Sequence, residues 1–153
     1  MFTGNYLNYA SARPSTEPNL AELMTKSLSL LENDGEGFFL MVEGGNIDHA
    51  NHANEVANTI SETIEFDDAV KIAMDFVDSH ENTILVITAD HETGDVKVKN
   101  GQVTYGSTNH TAELIPYYVY GEGKEYLKAL QTIRRYHRQF RRRLSVRKML
   151  EQL

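Results

Sequence analysis

Two short apolar runs set the terms on which this chain can fold. Residues 37–42 (Gly-Phe-Phe-Leu-Met-Val) and 83–88 (Thr-Ile-Leu-Val-Ile-Thr) are each bounded by turn-forming residues. Continuous runs of that length suit strands buried on both faces, the kind found in parallel sheets covered by helices. Between them Ile60, Ile64, Phe66, Val70, Met74 and Val77 recur at helical intervals. A helix starting after Asp48 and ending near His80 therefore joins the two runs into a βαβ unit, with a right-handed crossover. Upstream, Asn19 reads as the N-cap of a first amphipathic helix carrying Leu20, Leu23, Met24, Leu28 and Leu31, which should stop near Asn33-Asp34-Gly35. Downstream, Val96-Lys97-Val98 and Gln102-Val103-Thr104-Tyr105 flank Asn100-Gly101, a hairpin signal. Residues 115–120 supply a last strand. The expected class is α/β, with a partial, mostly parallel central sheet flanked by helices and a C-terminal basic helix.

At 153 residues and 41% hydrophobic the chain has the size and content of one domain. It contains no cysteine, so any metal must be held by carboxylate and imidazole. Its first residues carry no basic and apolar segments of an export signal, and no stretch approaches the roughly 18 apolar residues of a membrane span. The net charge of −7 is unevenly spread: eight of fifteen Lys and Arg lie between Arg134 and Lys148, and only Glu151 of the acidic residues lies beyond Arg134. Ile133, Tyr136, Phe140, Leu144 and Leu150 sit at helical intervals among those arginines. Such a tail suits nucleic acid or an anionic membrane, but a solvated helix or a terminus foreign to the domain is the preferred reading.

Chemistry concentrates just after the two apolar runs. The first is followed by Glu43-Gly44-Gly45-Asn46-Ile47-Asp48-His49-Ala50-Asn51-His52, the second by Ala89-Asp90-His91. Ligands in open α/β sheets bind beyond the carboxyl ends of strands, where Glu43, Asp48, Asp90 and His91 fall. Asp48 and His52 stand four apart, so on a helix they share a face and can reach one ion. The plainer alternative makes Asp48 an N-cap and His52 a surface imidazole. His110, in Asn109-His110-Thr111-Ala112, would by itself be an ordinary loop histidine; beside two half-filled sites it becomes the natural additional ligand.

In combination and order, Val42-Glu43-Gly44-Gly45, Ile47-Asp48-His49 with His52, Thr88-Ala89-Asp90-His91-Glu92-Thr93-Gly94 and His110-Thr111-Ala112 resemble the C-terminal half of alkaline phosphatase. Pro18-Asn19-Leu20-Ala21-Glu22-Leu23-Met24-Thr25 resembles the segment before those motifs. The resemblance implies metal-assisted hydrolysis of phosphate monoesters, with Asp48, His52 and His110 on one zinc, Asp90 and His91 on a second, and Glu43 on magnesium. It gives His49 no ligand role. It also implies a periplasmic or extracellular setting, and a homodimer is one assembly open to it.

The departures from the family matter equally. The nucleophilic serine, the carboxylate bridging zinc and magnesium, and the phosphate-binding arginine belong to an N-terminal half that these residues do not match, which leaves the magnesium site incomplete. Asp78-Ser79 is the one Asp-Ser pair, but it sits at a helix end, and Ser79 reads as structural; His80 and His137 read as solvent-facing. Residues 1–130 are thus expected to form the C-terminal portion of a phosphatase domain needing its other half, and residues 131–153 a fused or frameshifted basic tail. Alone, the chain should bind metal and turn over poorly. The competing readings are a non-catalytic module that uses the Arg-rich tail, and a structural zinc protein. The latter is disfavoured because closed zinc sites seldom use so many carboxylates.

Overall fold

The computed structural model describes residues 6–32 and 35–123; the basic tail and its expected helix lie outside them. Helix α1 (Leu20–Leu31) begins where a reciprocal cap fixes it: the Asn19 side chain accepts the Glu22 N–H at 2.8 Å and the Glu22 carboxylate accepts the Asn19 N–H at 2.9 Å. Two of the orphan N–H groups of the first turn are thereby satisfied. Leu20, Met24 and Leu28, spaced four apart, form the buried face of α1. They pack with Ala69 and Ala73 of α3 (Val56–Ser79), whose small side chains leave room for the α1 face. Leu40, Val42, Phe66, Ile72, Phe76 and Leu85 close the sides of this core. No helix among the described residues is long and apolar enough to cross a membrane.

The helix expected to run unbroken from Asp48 is two helices. Helix α2 (Asn46–His52) ends at Ala53, and the chain turns through Asn54, whose φ of 56° is left-handed, a conformation that Asn tolerates better than most residues. Asp48 therefore lies inside the first turn of α2 and is not its N-cap. The N-terminal half of α3 also reverses the expected polarity. Ile60 and Ile64 are exposed, whereas Glu62 is 6% exposed and accepts the Ala10 N–H at 2.6 Å. Glu65 accepts the Leu20 N–H at 2.9 Å and pairs with Arg13. These carboxylates tether the entering loop to α3, a task that the apolar side chains cannot perform.

The sheet also differs from expectation. Strand β1 (Ile84–Ile87) pairs antiparallel with β6 (Tyr118–Gly121); β2 (Glu92–Thr93) pairs with β5 (His110–Thr111) and β3 (Lys97–Lys99) with β4 (Gln102–Thr104), again antiparallel. The α/β class holds, but among the described residues no parallel ladder forms. Residues 37–42 run without ladder partners there, and they are not buried on both faces: Leu40 and Val42 turn to the core while Met41 is 75% exposed. The alternation is that of a strand with one covered face. The β3–β4 hairpin turns as expected at Asn100-Gly101, with φ of 52° and 76°, the left-handed pair that a tight two-residue hairpin requires. Gly121 is obligatory where β6 meets α3: its φ is 95°, and a Cβ there would lie 2.4 Å from the Thr83 carbonyl oxygen.

Candidate metal centre

Three elements bring the candidate ligands together. Helix α2 carries Asp48 and His52, β5 carries His110, and the segment entering β2 carries Asp90 and His91. The short β2–β5 ladder sets Thr93 opposite His110, which fixes the height of His110 relative to His91, and the two imidazoles stack with centroids 3.5 Å apart. Glu92 braces this ladder. Its carboxylate accepts the N–H groups of Asp95 and Val96 and the hydroxyl of Thr111. Burial works against its charge, but these hydrogen bonds hold its pKa below the ordinary value. Gly94 permits the turn, with φ of 95° and the Tyr105 ring 3.0 Å from where a Cβ would stand.

The closest convergence is among Asp48, His52 and His110. His52 Nε2 lies 3.0 Å from His110 Nε2, and each of those nitrogens lies 3.4 Å from Asp48 Oδ1. The centre of that triangle is about 1.9 Å from each corner, just short of the roughly 2.0–2.2 Å of a zinc–ligand bond, a distance that an ion slightly out of the plane would reach. His52 Nδ1 is 2.6 Å from the Thr108 carbonyl oxygen, which can only accept, so Nδ1 carries the proton and Nε2 of the neutral ring offers a lone pair. Two imidazole nitrogens and a carboxylate oxygen facing one point repel one another unless a proton or cation stands between them. The donor set therefore fits a divalent metal. Asp48, His91 and His110 likewise place one ligand atom each within 4.8 Å of the others.

The remaining candidates are less closely engaged. Among the described residues, Asp90 is met by His91, whose Nε2 lies 3.5 Å from its Oδ2, and its side chain is 84% exposed. Glu43 folds back over Gly45. Glu43, Asp48, Asp90 and His91 nonetheless line one cleft of ≈ 380 Å³, so the loops after the two apolar runs open on the same side. Sequence reasoning did not identify Glu62 and Glu65, which line the cleft too. Their signal was positional, because 62, 65, 69 and 73 trace the inward stripe of α3. It also missed Thr93, two residues past His91 in extended chain and therefore on the same side. Five carboxylates line this cleft, and Glu65 alone among them pairs with Arg13; the rest would repel an anionic ester, a field that bound cations would offset.

The residues outside this centre also have defined places. Ser79 Oγ bonds the carbonyl oxygens of Asp75 and Phe76 and meets His80 Nδ1, an arrangement that closes α3. His80 is not simply solvent-facing, since it stacks on Phe76 at 3.8 Å and pairs with Glu32 at 2.9 Å. His49 lines the cleft and meets the Tyr6 ring edge-on at 4.7 Å.

Comparison with known proteins shows the family. The family model described as alkaline phosphatase matches residues 1–139. The membrane-bound alkaline phosphatase of Bombyx mori is 47% identical over 92 residues, covering 60% of this chain and 16% of that protein. Alkaline phosphatase of Escherichia coli is 40% identical over 79 residues, covering 52% of this chain and 17% of that protein. The chain thus spans less than a fifth of the length of these relatives. Among solved structures, alkaline phosphatase from the Antarctic bacterium TAB5 has a TM-score of 0.64 at 34% identity, over 69% of this chain and 35% of that one; a variant of it was solved with Mg bound. A cold-active alkaline phosphatase of Shewanella sp., with a TM-score of 0.70 at 19% identity over 80% of this chain and 49% of that one, is a likeness of fold alone. Matched through residues 1–139, this chain belongs to the alkaline phosphatase family of phosphoric monoester hydrolases.

Proposed function

We propose that this chain supplies the metal-holding part of a site that hydrolyses phosphate monoesters. The observation that carries the proposal is the triangle of Asp48 Oδ1, His52 Nε2 and His110 Nε2, with separations of 3.0–3.4 Å. Ligand atoms about 2.0–2.2 Å from one tetrahedral zinc ion stand roughly 3.3–3.6 Å apart, so this triangle is slightly tighter than a filled site. These three residues are assigned to one zinc, Asp90 and His91 to a second, and Glu43 to magnesium, whose site is incomplete within these residues. When bound, such ions stabilise the charge that develops on the attacking and leaving oxygens of an in-line phosphoryl displacement.

The chain's own residues orient and brace this centre. Thr108 fixes the His52 ring, Glu92 locks the β2–β5 ladder, and the cleft beside Asp48 admits the ester. No serine lines the cleft among the described residues, and Ser79 is engaged at the end of α3. The nucleophile is therefore assigned to residues outside this stretch of the family domain, and the family resemblance puts the bridging carboxylate and the phosphate-binding arginine there with it. A periplasmic or extracellular setting belongs to the same reading.

Zinc titration by calorimetry tests the proposal. The wild-type chain should show a tight site that His110→Ala lacks, and equal stoichiometry and affinity in both would refute the assignment. Hydrolysis of an aryl phosphate by the chain alone should stay near background with zinc and magnesium supplied. Rates ordinary for enzymes, about 1–1000 per second, would refute the division of the apparatus.

A further inference from the structure

Thr93 occupies a position that the ligand assignment does not explain. It is 4% exposed, its hydroxyl donates to Asp48 Oδ1 at 2.6 Å, and the same oxygen lies 3.1 Å from His91 Nδ1. A threonine hydroxyl has one proton to give, and an ionised carboxylate can only accept. With that proton committed to Asp48, the hydroxyl oxygen must accept from His91, so His91 carries its proton on Nδ1. Its Nε2 is then a bare lone pair, and it faces Asp90 Oδ2 at 3.5 Å. Two unprotonated acceptors so placed make sense as a pair awaiting a cation.

We infer that Thr93 is a positioning residue that couples the two zinc sites, orienting Asp48 for the first and fixing the His91 tautomer that the second needs. The inference rests on the metal-centre reading above. It explains why a polar side chain is buried at this point: its one hydroxyl reaches a residue of each site. Hydrogen bonds of this kind, here to the Asp48 oxygen that faces the first site and to the His91 nitrogen away from the second, orient the ligands and change metal affinity about 10–100-fold when removed.

The test uses the full chain in two measurements. Nitrogen-15 NMR of the histidine rings in metal-free protein, at about pH 8 where a free imidazole is neutral, should find His91 in the Nδ1–H form. Zinc competition should show Thr93→Val weakened about 10–100-fold and Thr93→Ser near wild type. A His91 proton on Nε2, which needs no variant to detect, would overturn the inference. Undiminished zinc affinity in a folded Thr93→Val would do the same while leaving the metal centre standing. If wild type and Asp48→Ala bound zinc alike, the metal-centre reading itself would fail and take the role of Thr93 with it.

Discussion

The metal-centre end of this chain and its α3 and 37–42 flank are built on opposite rules. Around the centre, four buried polar residues are held by hydrogen bonds: Asn46 donates to the Leu7 carbonyl at 3.0 Å, Asn51 accepts from Thr59 at 2.8 Å, Glu62 holds Ala10, and Thr93 holds Asp48. Along the other flank, large apolar side chains face outward, Met41 at 75%, Ile64 at 58% and Phe39 at 54% exposure. One region is specified by directional bonds between its own residues. The other presents a surface whose burial these residues do not complete. The comparison predicts that the core limits stability, the centre responds to metal, and the exposed flank is nearly indifferent to substitution.

The largest effect should come from the thin core. Met24→Ala, which empties the middle of the α1 face, should cost about 2–5 kcal/mol in urea unfolding. A loss below that range would mean that α1 contributes less than its burial suggests. Next comes the centre. Zinc at about a hundred times its Kd should stabilise wild type by roughly 2.7 kcal/mol, read as a shift in thermal midpoint. Asp48→Ala should lose that gain. A variant that kept the full shift would break the contrast between the two regions.

Those two effects also show what the sequence made legible. The Asn19 N-cap and the Asn100-Gly101 turn are local signals, and each produced the local geometry expected of it; Asp48 Oδ1 and His52 Nε2, from residues four apart on α2, stand 3.4 Å apart. The motif loops share one cleft, but not through the parallel sheet expected: among the described residues, 37–42 join no ladder, and β1 pairs antiparallel with β6. The break at Asn54 was hidden because apolar spacing continues across it. The inward stripe of Glu62 and Glu65 was hidden because partners fifty residues away, Ala10 and Arg13, decide which face of α3 turns in. The pairing of β1 with β6 is likewise non-local, and nothing in residues 84–87 distinguishes a parallel partner from an antiparallel one.

Smaller effects sharpen the comparison through pH. Hydrogen bonds hold the Glu92 pKa below its ordinary 4.5. Its contribution is therefore present in full above that value and lost as pH falls through the folded pKa. Glu92→Gln should flatten stability across that acid window. His80 runs the other way. Its hydrogen bond to Glu32, with help from the Phe76 carbonyl, raises its pKa above 6.5, so its contribution is present below 6.5 and lost as pH rises through the folded value. Glu32→Gln should remove that alkaline decline; an unchanged stability–pH curve would show that the pair does not couple α1 to α3. The smallest effect belongs to the exposed flank, where Ile64→Lys should change stability by no more than about 0.5 kcal/mol. A larger loss would mean that Ile64 is covered in solution.

The most direct test is X-ray absorption at the zinc edge of the full chain loaded with one equivalent of zinc. Asp48, His52 and His110 sharing the ion predict nitrogen and oxygen neighbours at about 2.0–2.2 Å, with the outer-shell signature of two imidazole rings that falls to one in His110→Ala. An oxygen-only shell without imidazole scattering, or a spectrum that His110→Ala leaves unchanged, would contradict the account.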